Sequence, residues 1–229
     1  MKLSIVIPVY NEKNTLEDIL KKVESVDLGN VEKEIVLVDD ASTDGSTKIL
    51  KELEKKGKYK IYYHLINQGK GASLRDAFQL TTGDYVIVQD ADLEYDPQDY
   101  TKLLRALKEE NTAVVYGSRF SGNYEDMAGL HYLGNKILTL LTDLLYGVML
   151  TDMETCYKLL PGDFVRNLKI RSNRFNFEPE ITAKILKAKM KIAEVPISYS
   201  GRSFEEGKKI TWKDGFSALA TLIVFRFFD

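Results

Sequence analysis

The chain has 229 residues, 44% of them hydrophobic, with 32 basic and 34 acidic side chains and a net charge of −2. That length suffices for one large domain with a proper core, and the near-neutral balance offers no basic field for nucleic acid. A single cysteine, Cys156, excludes an internal disulfide and fits a reducing compartment.

No charged n-region precedes an apolar stretch at the N-terminus, so no signal peptide is expected. No apolar run reaches the roughly 20 residues that a membrane-spanning helix needs. The two longest, Ile137–Leu150 and Phe216–Phe228, are interrupted by Asp143 and Arg226. They read as core helices or as helices lying on a membrane surface. A cytoplasmic chain, at most peripheral at the inner face of the membrane, is the expectation.

The first strand, Leu3-Ser-Ile-Val-Ile-Pro-Val9, is nearly all apolar, as a strand buried on both faces requires. Asn14 and Glu17 stand in capping-box spacing before a helix with Leu16, Ile19, Leu20 and Val23 on one stripe. Glu34–Asp39 reads as a second strand, Ser42–Ser46 as a turn, and Ile49, Leu50 and Leu53 as the apolar face of a helix. Lys60–Leu65 is a third strand, Ala72–Thr81 a helix, and Tyr85–Gln89 a fourth strand. Asp96 and Pro97 open a helix carrying Tyr100, Leu103, Leu104 and Leu107, since Pro suits the first helical position. Ala113–Gly117 is a fifth strand. This alternation predicts an α/β domain with a doubly wound, mostly parallel sheet.

Beyond Ser118 the pattern changes. A polar loop over 118–130 precedes an apolar helix over 130–149. Thr155–Leu160 reads as a strand, Phe177–Ala188 as a helix beginning near Pro179, and Met190–Ser200 as a strand broken by Pro196. Arg202–Lys209, charged and Gly-containing, reads as a mobile loop. The whole chain, 1–229, is expected to be one domain, with a donor-binding half over 1–117 and an acceptor-binding half over 118–229.

In doubly wound sheets ligands sit beyond the carboxyl ends of the strands. Four such ends carry polar groups here: Tyr10-Asn-Glu12, Asp39-Asp40, Asp90/Asp92 and Arg119. The run Asp90-Ala-Asp-Leu-Glu94 spaces three carboxylates by two. On an extended chain that puts them on one face, where oxygen-only ligands suit Mg²⁺ or Mn²⁺ with positions open for phosphate oxygens. Asp40 and Asp44 have a second use as turn and helix caps. Asn67-Gln-Gly-Lys-Gly71 lacks P-loop spacing and reads as a tight turn into a helix, with Lys70 a candidate phosphate contact. The first turn contains no Gly, which excludes a dinucleotide fingerprint. His64 reads as structural.

Together Pro8-Val-Tyr-Asn-Glu12, Val38-Asp-Asp-Ala-Ser-Thr-Asp-Gly45, Asn67-Gln-Gly-Lys-Gly71, Asp90-Ala-Asp-Leu-Glu94, Gly117-Ser-Arg119 and Asp152-Met-Glu-Thr-Cys-Tyr-Lys158 resemble the inverting, metal-dependent GT-A glycosyltransferases. The likeness is to the polyprenyl-phosphate hexose synthases, such as dolichyl-phosphate mannose synthase. Arg202 and Gly207-Lys-Lys-Ile210 extend it.

The resemblance implies a GT-A fold, a GDP- or UDP-hexose donor, a polyprenyl-phosphate acceptor and a bound Mg²⁺ or Mn²⁺; a homo-oligomer is left open. It implies that Pro8, Tyr10 and Glu12 line the base and ribose pocket, that Asp40 bonds the base, and that Asp90 faces the ribose or sugar. Asp92 and Glu94 are then the metal ligands, Arg119 meets the acceptor phosphate, and Arg202 meets the donor diphosphate. Three positions depart from the family's pattern: Glu94 stands where Gln is frequent, His131 near an expected arginine, and Lys208 at an expected serine.

A polyprenyl phosphate, with a second pKa near about 6, attacks the anomeric carbon without a general base. A sugar hydroxyl needs a carboxylate to take its proton, and Asp152, Glu178 and Glu180 are the candidates. The residues leave both acceptors open, along with a nucleotide-sugar binding module without turnover.

Overall fold

A computed structural model describes residues 1–121, 124–125, 129–201 and 212–228, with side chains described at all of these but 124, 125, 129–131 and 212–214. Arg202, the loop 203–209, Lys208 and the side chain of His131 lie outside the described residues.

Strand β1 (Lys2–Val9) buries Leu3, Ile5, Val6, Ile7 and Val9 completely, which is why its sequence shows no polar alternation. It lies between β2 (Glu32–Asp39) and β4 (Tyr85–Val88), parallel to both, and β2 pairs with β3 (Lys60–Tyr63). Beyond β4 come β7 (Lys158–Pro161), β5 (Val114–Ser118) and β8 (Ile192–Pro196), completing seven strands in the order β3-β2-β1-β4-β7-β5-β8. β7 is antiparallel to both neighbours, whereas β5 and β8 are parallel. Strands from both halves of the chain therefore share one sheet. Tyr124–Glu125 (β6) and Tyr199–Ser200 (β9) form a separate two-residue pair.

The connecting helices are α1 (Leu16–Ser25), α2 (Ser46–Glu54), α3 (Lys70–Leu80) and α4 (Tyr100–Glu109). Asp96 accepts from the Gln98 N–H, and Pro97 opens a 3₁₀ turn that runs into α4, as expected. The expected capping box at Asn14 is not formed. α1 begins at Leu16 because the Glu12 carbonyl accepts the N–H groups of Thr15 and Leu16 at 3.1 and 2.9 Å. The second half adds α5 (Gly129–Tyr146), α6 (Gly162–Asn167), α7 (Phe177–Lys187) and α8 (Trp212–Phe227). α5 and α8 pack on each other around Leu150, Met153 and Leu222. Among the described residues no helix is long and apolar enough to cross a membrane.

Candidate active site

The carboxyl ends of β1, β2, β4 and β5 meet along one rim of the sheet. Antiparallel β7 begins at that rim, so the lead-in 152–157 joins it. Two loops build its first part. Asn11, in the left-handed region at φ 53°, accepts the Thr43 N–H at 2.8 Å, and its own N–H donates to Ser42 Oγ at 3.0 Å. Asp44 caps the turn, accepting from Ser46 N and Lys13 N at 2.9 Å each. Pro8 and Tyr10 sit half-buried at the end of β1. Glu12 is buried, and its carboxylate accepts from Thr15 Oγ1 at 2.9 Å.

Asp40 follows β2, and its carboxylate is held by the protein. Oδ1 meets His64 Nδ1 at 2.7 Å and accepts Gln68 N at 2.8 Å, while Oδ2 accepts Gly69 N at 2.8 Å. His64 Nε2 lies 3.0 Å from Asp76 Oδ2, so the histidine is structural, as expected. The turn so held docks the start of α3 against 172–174. A Cβ on Gly69 would lie 2.4 Å from the Asn173 carbonyl oxygen and one on Gly71 2.3 Å from that of Ser172. Only glycine permits that approach.

Lys70, the candidate phosphate contact, is ion-paired with Asp90 at 2.8 Å and lies 3.6 Å from Glu178. Burial alone would lower its pKa; the Asp90 carboxylate overrides this and holds it well above the ordinary lysine value.

The expectation of three carboxylates on one strand face is corrected. β4 ends at Val88, and the chain then turns through Leu93, whose φ is +68°. The alternation of an extended chain does not reach Glu94. Asp90 pairs with Lys70, the Glu94 N–H donates to Asp92 Oδ1 at 3.2 Å, and Glu94 Oε2 accepts from Tyr199 Oη at 2.9 Å. Among the described residues no three acidic, histidine or cysteine side chains gather closely enough to hold a metal. The donor set Asp92 and Glu94 still fits Mg²⁺ or Mn²⁺. It is oxygen-only, and Mg²⁺ sites commonly use one or two carboxylates with substrate phosphates completing the shell.

At the end of β5, Arg119 is buried against Asp152. Nε and Nη2 each donate at 2.7 Å, and the Arg119 main-chain N–H donates at 3.0 Å. Burial would lower the guanidinium pKa, but Asp152 holds it well above its ordinary value. The ring of Tyr199 lies 5.3 Å from Arg119 Cζ. All three candidate proton acceptors have partners in the protein. Asp152 serves Arg119, and Glu180 accepts from Arg171 N, Ser172 N and Lys184 Nζ. Glu178, the third, pairs with Lys158 at 2.5 Å.

One residue of the rim is not among the expected candidates. Glu154 has a buried Oε1 with no hydrogen-bond partner, and burial pushes its pKa up to about 7. It lies within the motif Asp152–Lys158. Glu178 Oε1 is likewise buried without a hydrogen bond, but Glu178 is ion-paired with Lys158 through its other oxygen, a difference that only the fold reveals.

Solved structures share this architecture. Glucosyl-3-phosphoglycerate synthase from Mycobacterium tuberculosis, in complex with Mn²⁺, UDP and glucosyl-3-phosphoglycerate, superposes with a TM-score of 0.70 at 19% identity, over 98% of this chain and 79% of that one. The TarS protein of S. aureus in complex with UDP-GlcNAc gives 0.65 at 16% identity, over 98% of this chain and 66% of that one. The fold is GT-A. Among curated relatives, a dolichol-phosphate mannosyltransferase of Pyrococcus furiosus is 28% identical over 91% of this chain. The match spans 59% of that relative's length. An uncharacterized Methanocaldococcus jannaschii protein is 28% identical over 84% of this chain and 86% of its own. The family model described as glycosyl transferase family 2 matches residues 4–159, from β1 through the lead-in to β7. That span takes in every strand end of the rim, and the chain belongs to glycosyl transferase family 2.

Proposed function

We propose that the chain moves a hexose, with inversion, from a GDP- or UDP-hexose to a lipid-borne acceptor at a membrane surface, and that this acceptor is a polyprenyl phosphate. One observation carries the reading. α5 and α8 turn Leu133, Ile137, Leu140 and Leu144, and Phe216 and Phe227, toward solvent, and α5 is tied to the lead-in that carries Asp152, where Thr139 Oγ1 accepts the Met153 N–H. Two such helices, too short to span a bilayer, suit its surface. The P. furiosus relative is named for a dolichol-phosphate acceptor, which supports the same reading.

In this proposal residues 1–117 seat the donor. Pro8, Tyr10 and Glu12 line the nucleoside pocket, Asp40 holds the turn beside it, and Asp90, fixed by Lys70, faces the sugar. Asp92 and Glu94 would hold Mg²⁺ or Mn²⁺, which when bound stabilises the charge that collects on the departing diphosphate. Arg202 is assigned to the same diphosphate by resemblance alone. Residues 118–229 receive the acceptor. Incubation with Mn²⁺ and a panel of nucleotide sugars, with and without a polyprenyl phosphate, tests the proposal; label appearing only in a soluble saccharide would sink it.

A second reading has its own observation. Among the described residues, the rim's buried cations Lys70, Arg119 and Lys158 are matched with Asp90, Asp152 and Glu178. A phosphate dianion finds no unbalanced charge among these residues, which favours a neutral hydroxyl of a saccharide or glycolipid.

A further inference from the structure

One carboxyl of the rim stands apart. Among the described residues, the cations Lys70, Arg119 and Lys158 lie with the acids Asp90, Asp152, Glu154 and Glu178, and three of those acids are consumed in the ion pairs given above. Glu154 is the remainder. Its Oε1 is sealed from solvent and accepts no hydrogen bond, although the residue as a whole keeps part of its surface exposed. A buried carboxylate oxygen left without a donor costs stability, so this arrangement needs a reason beyond folding.

The groups acting on Glu154 come from every side of the rim. Lys158 on β7 and Arg119 at the end of β5 favour its charge, while Glu178 on α7 and Asp152 on its own lead-in oppose it. With both cations already spent on other carboxylates, burial wins and the carboxyl titrates at about 7. A base working near neutral pH wants that value.

We propose that Glu154 takes the proton of an acceptor hydroxyl as that oxygen attacks the anomeric carbon. The acceptor O–H bond breaks with its proton passing to the Glu154 carboxylate. The oxygen's electron pair forms the new bond to the anomeric carbon. The bond from that carbon to the diphosphate oxygen breaks, and its electrons leave with the nucleoside diphosphate. The proton afterwards returns to solvent. This assignment rests on the hydroxyl-acceptor reading, and its substrate class is a saccharide or glycolipid hydroxyl.

The test measures kcat/KM against pH from 5 to 9 for the full chain, Glu154→Gln and Glu154→Asp, with Mn²⁺, a nucleotide-hexose panel, and saccharide, glycolipid and polyprenyl-phosphate acceptors. Nucleoside-diphosphate affinity is followed in parallel by calorimetry. The expected result is hydroxyl transfer that falls tenfold per pH unit below about 7. Glu154→Gln loses kcat by about 10²–10⁴-fold with nucleotide affinity unchanged, and Glu154→Asp keeps a shifted pH limb at a reduced rate. Hydroxyl transfer by Glu154→Gln at the parent rate, with the parent pH limb, overturns the role of Glu154 and leaves the acceptor reading standing. Transfer to polyprenyl phosphate alone overturns the acceptor reading itself. Should Glu154→Gln fail to fold, an unshifted limb in Glu154→Asp overturns the assignment.

Discussion

The guanidinium of Arg119 grips the Asp152 carboxylate with two hydrogen bonds of 2.7 Å while the Arg119 main-chain N–H donates to the same group at 3.0 Å. Three donors on one buried carboxylate tie the end of β5 to the lead-in that carries Glu154. Any contact between Arg119 and an acceptor phosphate must be made by a side chain already fixed in this way.

Breaking the pair from one side leaves a buried charge without its partner, which typically costs about 3–5 kcal/mol. Arg119→Ala and Asp152→Ala should each lower stability by that order in urea unfolding. Arg119→Met combined with Asp152→Leu should recover much of the loss, because no charge then remains to be buried. Two single losses that simply add in the double variant would mean that the ion pair couples nothing.

Donor binding should depend on a divalent cation through Asp92 and Glu94. Calorimetric titration with GDP and UDP is expected to show tighter binding in Mn²⁺ than in EDTA. Asp92→Asn should erase that difference and reduce turnover by orders of magnitude, since a bound metal supplies several kcal/mol of charge stabilisation. Identical affinities in Mn²⁺ and EDTA would remove these two residues from the role.

The regular half of this fold is legible because β1 and β2 are buried on both faces, and Leu3–Val9 and Ile35–Val38 say so directly. β7 is harder to read. It has four residues, opens on the buried Lys158 and ends on Pro161, so neither hydropathy nor alternation marks its antiparallel insertion. The spacing of Asp90, Asp92 and Glu94 suggests a strand face, yet the left-handed turn at Leu93 breaks the alternation. The partners of Asp40 and Lys70 come from 24 to 29 and 20 residues away. Glu154 shares a buried, unbonded oxygen with Glu178 and differs from it in having no ion pair among the described residues, a property that exists only once all its neighbours are placed.

Two buried carboxyls should make stability respond to pH in opposite directions. Glu34 accepts from Ser4 Oγ and from the N–H and hydroxyl of Thr82, with Lys60 at 2.8 Å. Burial raises its pKa, but these partners outweigh it and bring the value down to about 2. Its contribution is therefore complete above the unfolded carboxyl value and disappears as pH falls toward 2. Glu154 is the reverse case: folding raises its pKa, so stability declines as pH climbs from the unfolded value through about 7. Each shift is worth up to about 3 kcal/mol. Thermal unfolding from pH 3 to 8 should show Glu34→Gln losing most at neutral pH, and Glu154→Gln gaining on the parent between pH 5 and 8. A constant difference across that range would deny the Glu154 titration.

The outward faces of α5 and α8 should carry the chain to membranes. Arg226 on α8 donates to the Leu145 carbonyl of α5 at 2.7 Å, and Tyr146 Oη donates to the Leu222 carbonyl at 3.0 Å, so the two helices are tied into one unit. On that unit Leu140 is 58% and Leu144 73% exposed, so replacing them removes little core packing. Leu140→Glu with Leu144→Glu should leave the unfolding midpoint almost unchanged. It should also abolish co-sedimentation with vesicles of anionic lipid and polyprenyl phosphate, because each loses buried apolar area and gains a charge at the interface. If the parent fails to sediment with these vesicles, or the double variant sediments as well as the parent, the apolar face serves some other contact and the lipid-borne acceptor loses its structural support.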